Sequence, residues 1–368
     1  MSIKLSSEQQ QFRDSVRRFL TDRITSTYLR NPIERSKQDD AVLWNDLMEL
    51  GLSVGFAHEA CEGLGLGMHE LGLLAFEAGR VLLPQNVLEQ AFWGSYCLTQ
   101  CASADQVSDL DRDVLSEIVS GALQICFAYQ NLPSDIVRVS ETGTISGQVH
   151  MVARAQSADL LALFNYAEKS LYLVDLTQKC FASAVEESGV EYQVSESLDL
   201  TRVYEKLTLD TLSMRSVSNL DSEFLLGAWR VLVASEIAGA CSSVVEMTTE
   251  YVKTRKQFGV PVGAFQAVKH RVADMHTYTE ALRALCNFAG WSADHSRSQF
   301  SLAANSAIAY AVRRGPEVIE SAIQAHGGIG FTWEHDLHLY LRRVRSLVAL
   351  IDLGQADAQR LVAAAVGS

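Results

Sequence analysis

Four long stretches with apolar residues at helical spacing are the feature that most constrains the fold. They cover residues 221–254, 263–291, 300–326 and 346–366. Long helices in series, each with one apolar face, bury those faces best against one another. The sequence therefore predicts a C-terminal four-helix bundle over residues 214–368.

The N-terminal part is also predicted to be helical, over residues 1–118. Ser7 and Gln10 have the spacing of a capping box, and an apolar face follows them. Further helices are predicted over 41–50 and 68–82.

Residues 119–213 have the pattern of a small, mostly antiparallel β domain. Short runs rich in β-branched and aromatic residues alternate with glycine and polar turns. Helices of about 10 to 15 residues do not separate these runs, which argues against a doubly wound parallel sheet. The predicted fold is mainly α with a central β domain, with strands over 124–129, 145–152, 160–164, 171–175, 191–194 and 206–209.

Composition limits the classes of partner. The chain has 368 residues, 48% of them hydrophobic, and a net charge of −13, so a general affinity for nucleic acid or anionic membrane has no electrostatic support. No apolar run of the length of a membrane span is evident, and we expect a cytoplasmic protein without membrane insertion. Its seven cysteines lack C-x-x-C spacing and are expected to be buried free thiols.

A cation and an aromatic residue come together where the first long helix is predicted to end. Arg255 offers a planar fork suited to a pyrophosphate, and Phe258 offers a flat face for a ring. An ordinary helix C-terminus with a favourable cation explains the same residues. Both interpretations stay open for this segment alone.

A second cluster, Gln324 to Gly330, lies where the third long helix is predicted to stop. Gly327, Gly328 and Gly330 allow a ligand or another backbone to approach without a Cβ in the way. A helix C-cap is the alternative, although one glycine suffices for a cap.

The two segments together resemble the signatures of one family. Arg255-Lys-Gln-Phe-Gly-Val-Pro-Val-Gly-Ala-Phe-Gln266, continuing to Lys269 and Ala273-Asp-Met275, is similar to the signature of acyl-CoA dehydrogenases. Gln324 to Gly330 resembles their second signature, and two further stretches look like family landmarks. These are Glu62-Gly-Leu-Gly-Leu66 and Leu198-Asp-Leu-Thr-Arg202, so the resemblance covers nearly the whole chain.

The resemblance implies an FAD-dependent enzyme that desaturates an acyl-CoA thioester and passes electrons to an acceptor such as an electron-transfer flavoprotein. Family members bind FAD at a subunit interface, with the isoalloxazine housed mainly by the neighbouring subunit. Matched by position, the implied FAD contacts are Arg255, Phe258, Gln266, Gln324, Gly327 and Gly328.

The other half of the implied flavin site departs from the family pattern. Family members carry a Thr-Glu-Pro-x-x-Gly-Ser type loop, whereas this chain has Ala128-Tyr-Gln-Asn-Leu-Pro-Ser134. The Trp and Thr or Ser of the next flavin-contacting strand lack clear counterparts in His150-Met-Val-Ala-Arg154. We therefore expect the chain to hold its own flavin poorly.

The expected catalytic carboxylate is missing from both usual positions. Removal of the α-proton of the thioester needs a base, which many members place in a Glu-Gly-Thr stretch where this chain has Leu350-Ile-Asp-Leu-Gly-Gln355. Others place it early in the first bundle helix, at the position of Trp229. Two other carboxylates could serve as the base: Glu236, seven residues after Trp229 on the same helix face, and Asp352. In the alternative interpretation, Glu236 forms an interior ion pair and Asp352 is an exposed helix cap.

A metal site is one more possibility. His335 and His338 are one helical turn apart, although the resemblance assigns this run to helix packing near the interface, and no metal ligand is predicted.

The leading hypothesis is a heteromeric acyl-CoA dehydrogenase. This chain would complete the FAD site of a related partner subunit in an α2β2 assembly, as in bacterial enzymes that act on bulky thioesters such as steroid side-chain intermediates. The alternatives are a homotetramer with a displaced base, a non-catalytic scaffold subunit and a metal-binding helical protein.

Overall fold

A computed structural model of the chain describes residues 4–30, 37–103, 112–130, 136–140, 143–165, 168, 170–181, 189–217 and 220–351. Helices, then a sheet, then long helices follow one another along the sequence, as predicted. The domain limits at residues 118 and 213 stay a prediction.

The N-terminal part is helical and packs in one large apolar core with the C-terminal helices. A π-helical segment, Gln90–Cys97, joins two of its helices, and short 3-10 turns lie at Val54–Phe56 and Glu59–Cys61. Its helices are α1 Ser7–Arg23, α2 Ser26–Arg30, α3 Lys37–Glu49, α4 Met68–Arg80, α5 Val87–Glu89, α6 Leu98–Ser103 and α7 Arg112–Ser120.

The capping box of α1 lies one residue earlier than predicted. The Ser6 hydroxyl accepts from the Gln9 backbone N–H at 3.2 Å, and the Gln9 side-chain carbonyl accepts from the Ser6 N–H at 3.0 Å. The prediction of Ser7 with Gln10 is wrong because Ser6-Ser7 and Gln9-Gln10-Gln11 allow two registers with the same spacing.

Replacing Ser6 by alanine tests this register. Ser6→Ala is expected to lower the free energy of unfolding by about 1 kcal/mol, because the Gln9 N–H loses its acceptor. Ser7→Ala is the matched control and should change it by less than about 0.5 kcal/mol. Urea unfolding of the two variants compares them, and a larger loss in Ser7→Ala would contradict the observed cap.

The middle of the chain forms a seven-stranded sheet in the order β1-β4-β5-β7-β3-β2, with β6 also paired to β7. Only the β1–β4 pair is parallel among the described strands, so the mostly antiparallel prediction is confirmed. All six predicted strands are present, and β2 is a four-residue edge strand that was not predicted. The strands are β1 Ile125–Gln130, β2 Ile136–Val139, β3 Thr144–Ala153, β4 Leu160–Asn165, β5 Ser170–Asp175, β6 Gly189–Ser195 and β7 Tyr204–Val217.

The two faces of this sheet pack in different cores. One face encloses a separate apolar cluster that includes Val149, Leu161 and Leu207. The other face contributes Leu160, Phe164 and further side chains to the helical core. Residues 160 to 165 of β4 are buried throughout, which fits a strand covered on both sides.

Four long helices complete the chain: α8 Ser222–Thr254, α9 Gln266–His295, α10 Arg297–His326 and α11 Leu337–Ile351. The first three agree with the predicted helices to within a few residues. The fourth begins at Leu337 rather than 346, and the predicted residues after Ile351 lie outside the described part of the chain.

Helix α8 is long and apolar enough to cross a membrane by length and composition. However, 83% of its most apolar 18-residue window is buried inside the protein. Its apolar character therefore belongs to the core, where it packs against α4, α9 and α10.

Candidate functional site

Arg255 stands at the end of α8, where a short hairpin fixes its backbone. Its N–H donates to the Tyr251 carbonyl at 2.9 Å, and its own carbonyl accepts from the Val262 N–H at 2.8 Å. The two strands of the hairpin are β8 Lys256–Gln257 and β9 Val260–Pro261. The Arg255 side chain is exposed, so a positioned backbone presents a cation to the surface.

Phe258 lies at the tip of this hairpin in an unfavourable setting. Its φ is +53° and that of Gly259 is +82°, as in the primed turns that join two-residue hairpins. Phe258 is 93% exposed and makes a T-shaped contact with Phe265, with the ring centroids 6.4 Å apart. An exposed aromatic residue at positive φ indicates a binding surface more than a packing role. Gln266, also exposed, begins α9 directly after this hairpin.

The second predicted segment caps α10 and is open above its glycines. Gln324 is exposed on the last turn, and Gly327 has a φ of +63°. A Cβ added at Gly327 or Gly328 would meet no atom within 4 Å, whereas one at Gly330 would lie 2.7 Å from the Ile323 carbonyl oxygen. Packing within the described chain thus explains Gly330 and leaves open space above Gly328.

Tyr251 brings the two segments to one surface. Its hydroxyl donates to the His326 carbonyl at 3.2 Å, and its ring stacks on the imidazole with centroids 4.3 Å apart. Tyr251 is one helical turn before Arg255, and His326 directly precedes Gly327. This contact therefore joins the two exposed segments that carry the sequence-predicted residues 255, 258, 266, 324, 327 and 328.

Apolar side chains extend this surface. Ile329 is 44% exposed, Phe331 74% and Trp333 64%. Exposed aromatic residues so close in sequence are typical of a surface that another protein covers.

The His335 segment is held by ion pairs and ring contacts. Arg30 binds the Asp336 carboxylate at 2.7 Å and donates to the Glu334 carbonyl at 2.8 Å. The His335 ring meets His326 edge to face at 4.6 Å. No group of three or more His, Cys, Asp or Glu side chains that could hold a metal occurs among the residues with described positions, and the contacts of His335 are those of a packed segment.

A separate cavity of about 190 Å³ lies between the sheet and the helices. Residues of β1, β3, α5, α8 and α11 line it, including the stretches where the family resemblance expects the flavin ring. A cavity of about 150 Å³ holds a single benzene ring. The space enclosed here is therefore comparable to that of one small ring system.

Phe127 and Trp229 line this cavity and belong to a cluster of aromatic side chains. Trp229 lies 4.9 Å from Phe127 between ring centroids, and Trp93 stacks on Phe127 at 4.5 Å. Phe92 and Trp229 also stack, at 5.9 Å. Trp229, which the resemblance matches to the Glu position of some family members, thus belongs to an aromatic wall.

The strand predicted to contact a flavin is irregular. Its pairing with β7 shifts between Val149 and Val152, and φ is positive at Met151 (+56°) and Arg154 (+51°). Arg154 binds Asp40 at 2.9 Å, which ties the end of β3 to α3. Ala128, Tyr129 and Gln130 end β1, while residues 131–134 of the altered loop lie outside the described chain.

Glu236 takes part in a buried ion cluster beside the cavity. Its carboxylate accepts from Arg343 at 2.8 Å and lies 3.4 Å from Arg202. Arg343 also donates to Asp199 at 2.5 Å and to the Thr201 hydroxyl. Burial alone would lower the pKa of Arg202, but Glu236 and Glu89 raise it above its ordinary value, so the guanidinium stays charged. Two cations thus hold Glu236, which suits a structural role better than proton abstraction.

Two buried residues of this region were not found from the sequence. Glu89 and Arg343 are 5% and 0% exposed, in helices whose other buried residues are mainly apolar. The only available signal was a charged residue on an apolar helix face. The other candidate base, Asp352, lies outside the described residues.

Comparisons with known proteins identify the family of this chain. The family model described as "Acyl-CoA dehydrogenase, N-terminal domain" matches residues 6–117, and "Acyl-CoA dehydrogenase, C-terminal domain" matches residues 222–366. The acyl-CoA dehydrogenase IpdE2 of Mycobacterium tuberculosis is 39% identical over 132 residues, which span 36% of this chain and 39% of that protein.

Two further matches cover nearly the whole chain. IpdE2 of Mycolicibacterium smegmatis is 26% identical over 98% of this chain and 99% of its own length. The solved Tcur3481-Tcur3483 steroid ACAD, a G363A variant, has a TM-score of 0.80 and 26% identity, covering 98% of each chain.

Proposed function

Since the chain belongs to the acyl-CoA dehydrogenase family of FAD-dependent flavoproteins, we propose that it is a subunit of an enzyme that desaturates an acyl-CoA thioester. We further propose that it completes the FAD site of a catalytic partner subunit in the cytoplasm. The observation that carries this proposal is the contrast between an exposed surface that bears both signature segments and a cavity walled by aromatic side chains in the same chain.

The exposed half-site fits the outer part of an FAD. Arg255 would bind the pyrophosphate through its guanidinium, with Phe258 and Gln266 beside it. Gln324, Gly327 and Gly328 would complete the adenosine side, where a nucleotide meets no Cβ. When bound, FAD supplies the acceptor for the hydride that leaves the β-carbon of the thioester.

The internal cavity supports placing the flavin ring and the base in a partner. Trp229 stands where some members have the base, and Glu236 is fixed by Arg343 and Arg202. The apolar side chains Phe258, Phe331 and Trp333 offer the partner a surface to cover. The solved steroid ACAD, whose name joins Tcur3481 and Tcur3483, also supports a heteromer. The proposal includes a bulky acyl group on the substrate and an electron-transfer flavoprotein as the electron acceptor.

Native mass spectrometry with a flavin absorbance spectrum tests the assembly. The chain is co-expressed with the products of its neighbouring genes, and an α2β2 complex with one FAD per unlike pair is expected. The chain purified alone should be colourless. If the chain alone binds stoichiometric FAD and an acyl-CoA reduces that FAD, the result would favour the homotetramer and contradict the shared-site proposal.

Arg255→Ala should weaken FAD binding by the complex by about 10- to 100-fold, because a charge-assisted hydrogen bond contributes about 1.5–3 kcal/mol. Fluorescence titration of released flavin measures this. Stability should change by less than about 0.5 kcal/mol, since the hairpin uses the backbone of Arg255 and not its side chain.

Lys256→Ala is the matched control for that variant. Lys256 is the adjacent exposed cation in the same hairpin, so it removes an equal charge without removing the guanidinium fork. Its effect on FAD affinity should be under about threefold. Equal losses in both variants would mean that general charge, and not the Arg255 side chain, attracts the cofactor.

A further inference from the structure

A histidine side chain caps the start of α11. The helix begins at Leu337, and the N–H of that residue donates to His335 Nδ1 at 3.3 Å. Asp336 directly precedes the helix and is a common capping residue, but its Oδ1 accepts from the Ser26 hydroxyl at 2.9 Å and from Arg30 at 2.7 Å. The acceptor for the first N–H of α11 is therefore an imidazole, a group that titrates near neutral pH.

This hydrogen bond fixes the protonation state of the His335 ring. A ring nitrogen that accepts from an N–H carries no proton, so the neutral ring has its proton on Nε2. A second proton would enter at Nδ1 and face the Leu337 N–H, and two donors cannot pair. The charged ring would also place a cation at the N-terminus of a helix, where the helix dipole disfavours it. Uptake of a proton therefore removes the cap.

The titratable and charged groups that face His335 come from α10, α2 and α11. The His326 ring meets it edge to face at 4.6 Å, Arg30 approaches through Asp336, and His338 Nδ1 donates to the His335 carbonyl at 2.7 Å. Burial lowers the pKa of His335, and His326 lowers it further. The Asp336 carboxylate opposes this effect, while Arg30 and His338 add to it. The capped ring is thus held in its neutral form.

The direction of the pH dependence follows from these two states. Once the cap opens, the imidazole regains its ordinary pKa of about 6.5, which is higher than its pKa in the capped form. The open form therefore binds the proton more tightly. The cap has its full strength above about pH 6.5 and weakens as the pH falls below that value, by at most about tenfold per pH unit for one proton.

The segment before α11 carries the surface that the partner subunit is proposed to cover. It runs over residues 327–336 and includes Phe331 and Trp333, which are 74% and 64% exposed. The Arg30 guanidinium donates to the Trp333 carbonyl, and the His335 ring joins the end of the segment to α11. Loss of the cap would release the end of this surface that is attached to α11.

We propose that His335 is a pH-sensitive cap, which holds residues 327–336 in the arrangement that the partner subunit and its FAD recognise, and releases them when its ring takes up a proton. The inference rests on the proposed function for what binds this surface, whereas the cap itself belongs to the chain alone. Because partner and FAD bind the capped form, assembly and protonation of His335 oppose each other.

Hydrogen exchange with mass spectrometry tests the cap in the purified full chain. Protection factors, which remove the intrinsic pH dependence of exchange, are compared at about pH 7.5 and 5.5. The peptide that contains the first turn of α11 should lose about three- to tenfold in protection at the lower pH. Peptides of α8 in the same spectra report global unfolding. No loss at α11, or an equal loss in α8, would overturn the proposal.

His335→Asn separates the cap from its titration. Asparagine keeps a side-chain acceptor of a preferred capping type and does not titrate, so the loss of protection at low pH should shrink to under about twofold. His338→Asn is the matched control, because it removes a neighbouring imidazole that donates to a carbonyl, and it should keep the wild-type loss. A wild-type loss in His335→Asn would mean that another group titrates, and the proposal would be wrong.

The FAD-loaded complex with the partner subunit tests the link to the shared site. At about pH 5.5 and with FAD at ten times its Kd or more, the α11 peptide should gain at least about tenfold in protection over the chain alone. No gain in an assembled complex would place residues 327–336 outside the shared site and refute this inference. Flavin absorbance distinguishes the failure of the proposed function, which would show as FAD held by the chain alone.

Discussion

Replacing Arg343 by leucine is expected to lower the free energy of unfolding by about 3–5 kcal/mol, the usual effect of removing one partner from a buried ion pair. Arg343 is fully buried and binds Asp199 at 2.5 Å and Glu236 at 2.8 Å. Without it, Arg202 is the cation that remains, among the described residues, beside the buried carboxyl groups of Asp199, Glu236 and Glu89. Chemical denaturation of the purified chain, followed by circular dichroism, measures the loss.

Arg345→Leu is the matched control for this prediction. Arg345 is two residues further along α11 and pairs with Glu320 while both side chains remain about half exposed. Exposed pairs contribute about 0–1 kcal/mol, so this variant should unfold near the wild-type midpoint. Similar losses in the two variants would show that α11 is sensitive to any substitution and that the buried cluster has no special role.

The large effect follows from where Arg343 sits. Besides its two carboxylates, its guanidinium donates to the Leu82 and Leu83 carbonyls at 3.2 Å each. It therefore joins α11, α8, the turn after α4 and the segment after β6 at one point. The Glu236 contact also fixes that carboxylate beside the cavity.

Local patterns explain how much of the fold could be predicted. Helices α8, α9 and α10 and the strands carry their own periodicity, and hydrophobic period is a property of neighbouring residues. The capping box failed for a local reason, since Ser6 and Ser7 offer the same chemistry one residue apart. The start of α11 was missed because the polar, only partly buried residues before Leu337 do not show the apolar period of its first turn.

The segment around Arg255 and the buried ion cluster also differ in how far the sequence could predict them. Arg255 to Gln266 is one contiguous segment, so its exposure and its chemistry could be anticipated together. The ion cluster could not, because Arg343 is 107 residues from Glu236 and 144 from Asp199. The resemblance marked Asp199 and Arg202 as a landmark, but it gave no reason for them until their partner was located.

Alanine in place of Gly239, where α4 and α8 cross, is expected to destabilise the chain strongly. A Cβ on Gly239 would lie 1.8 Å from the Phe76 carbonyl oxygen, and one on Gly79 would lie 1.9 Å from that of Glu236. The two helices approach backbone to backbone because these residues have no side chain. Gly239→Ala must push the helices apart, and we expect a loss of about 3 kcal/mol or more in unfolding free energy, at the upper end of overpacking effects.

The same helix pair offers a control at Gly72. An added Cβ there would meet the Ser235 hydroxyl at 3.7 Å, an ordinary contact, so Gly72→Ala should be neutral or stabilise the chain by about 0.4–1 kcal/mol by restricting the unfolded state. Thermal unfolding of both variants shows whether the loss comes from the close backbone approach at Gly239 or from any alanine substitution in these helices. Because Glu236 lies one turn before Gly239 on α8, Gly239→Ala should also disturb its pairing with Arg343. A Gly239→Ala protein as stable as Gly72→Ala would mean that the helices can separate freely, and that the ion cluster does not depend on this crossing.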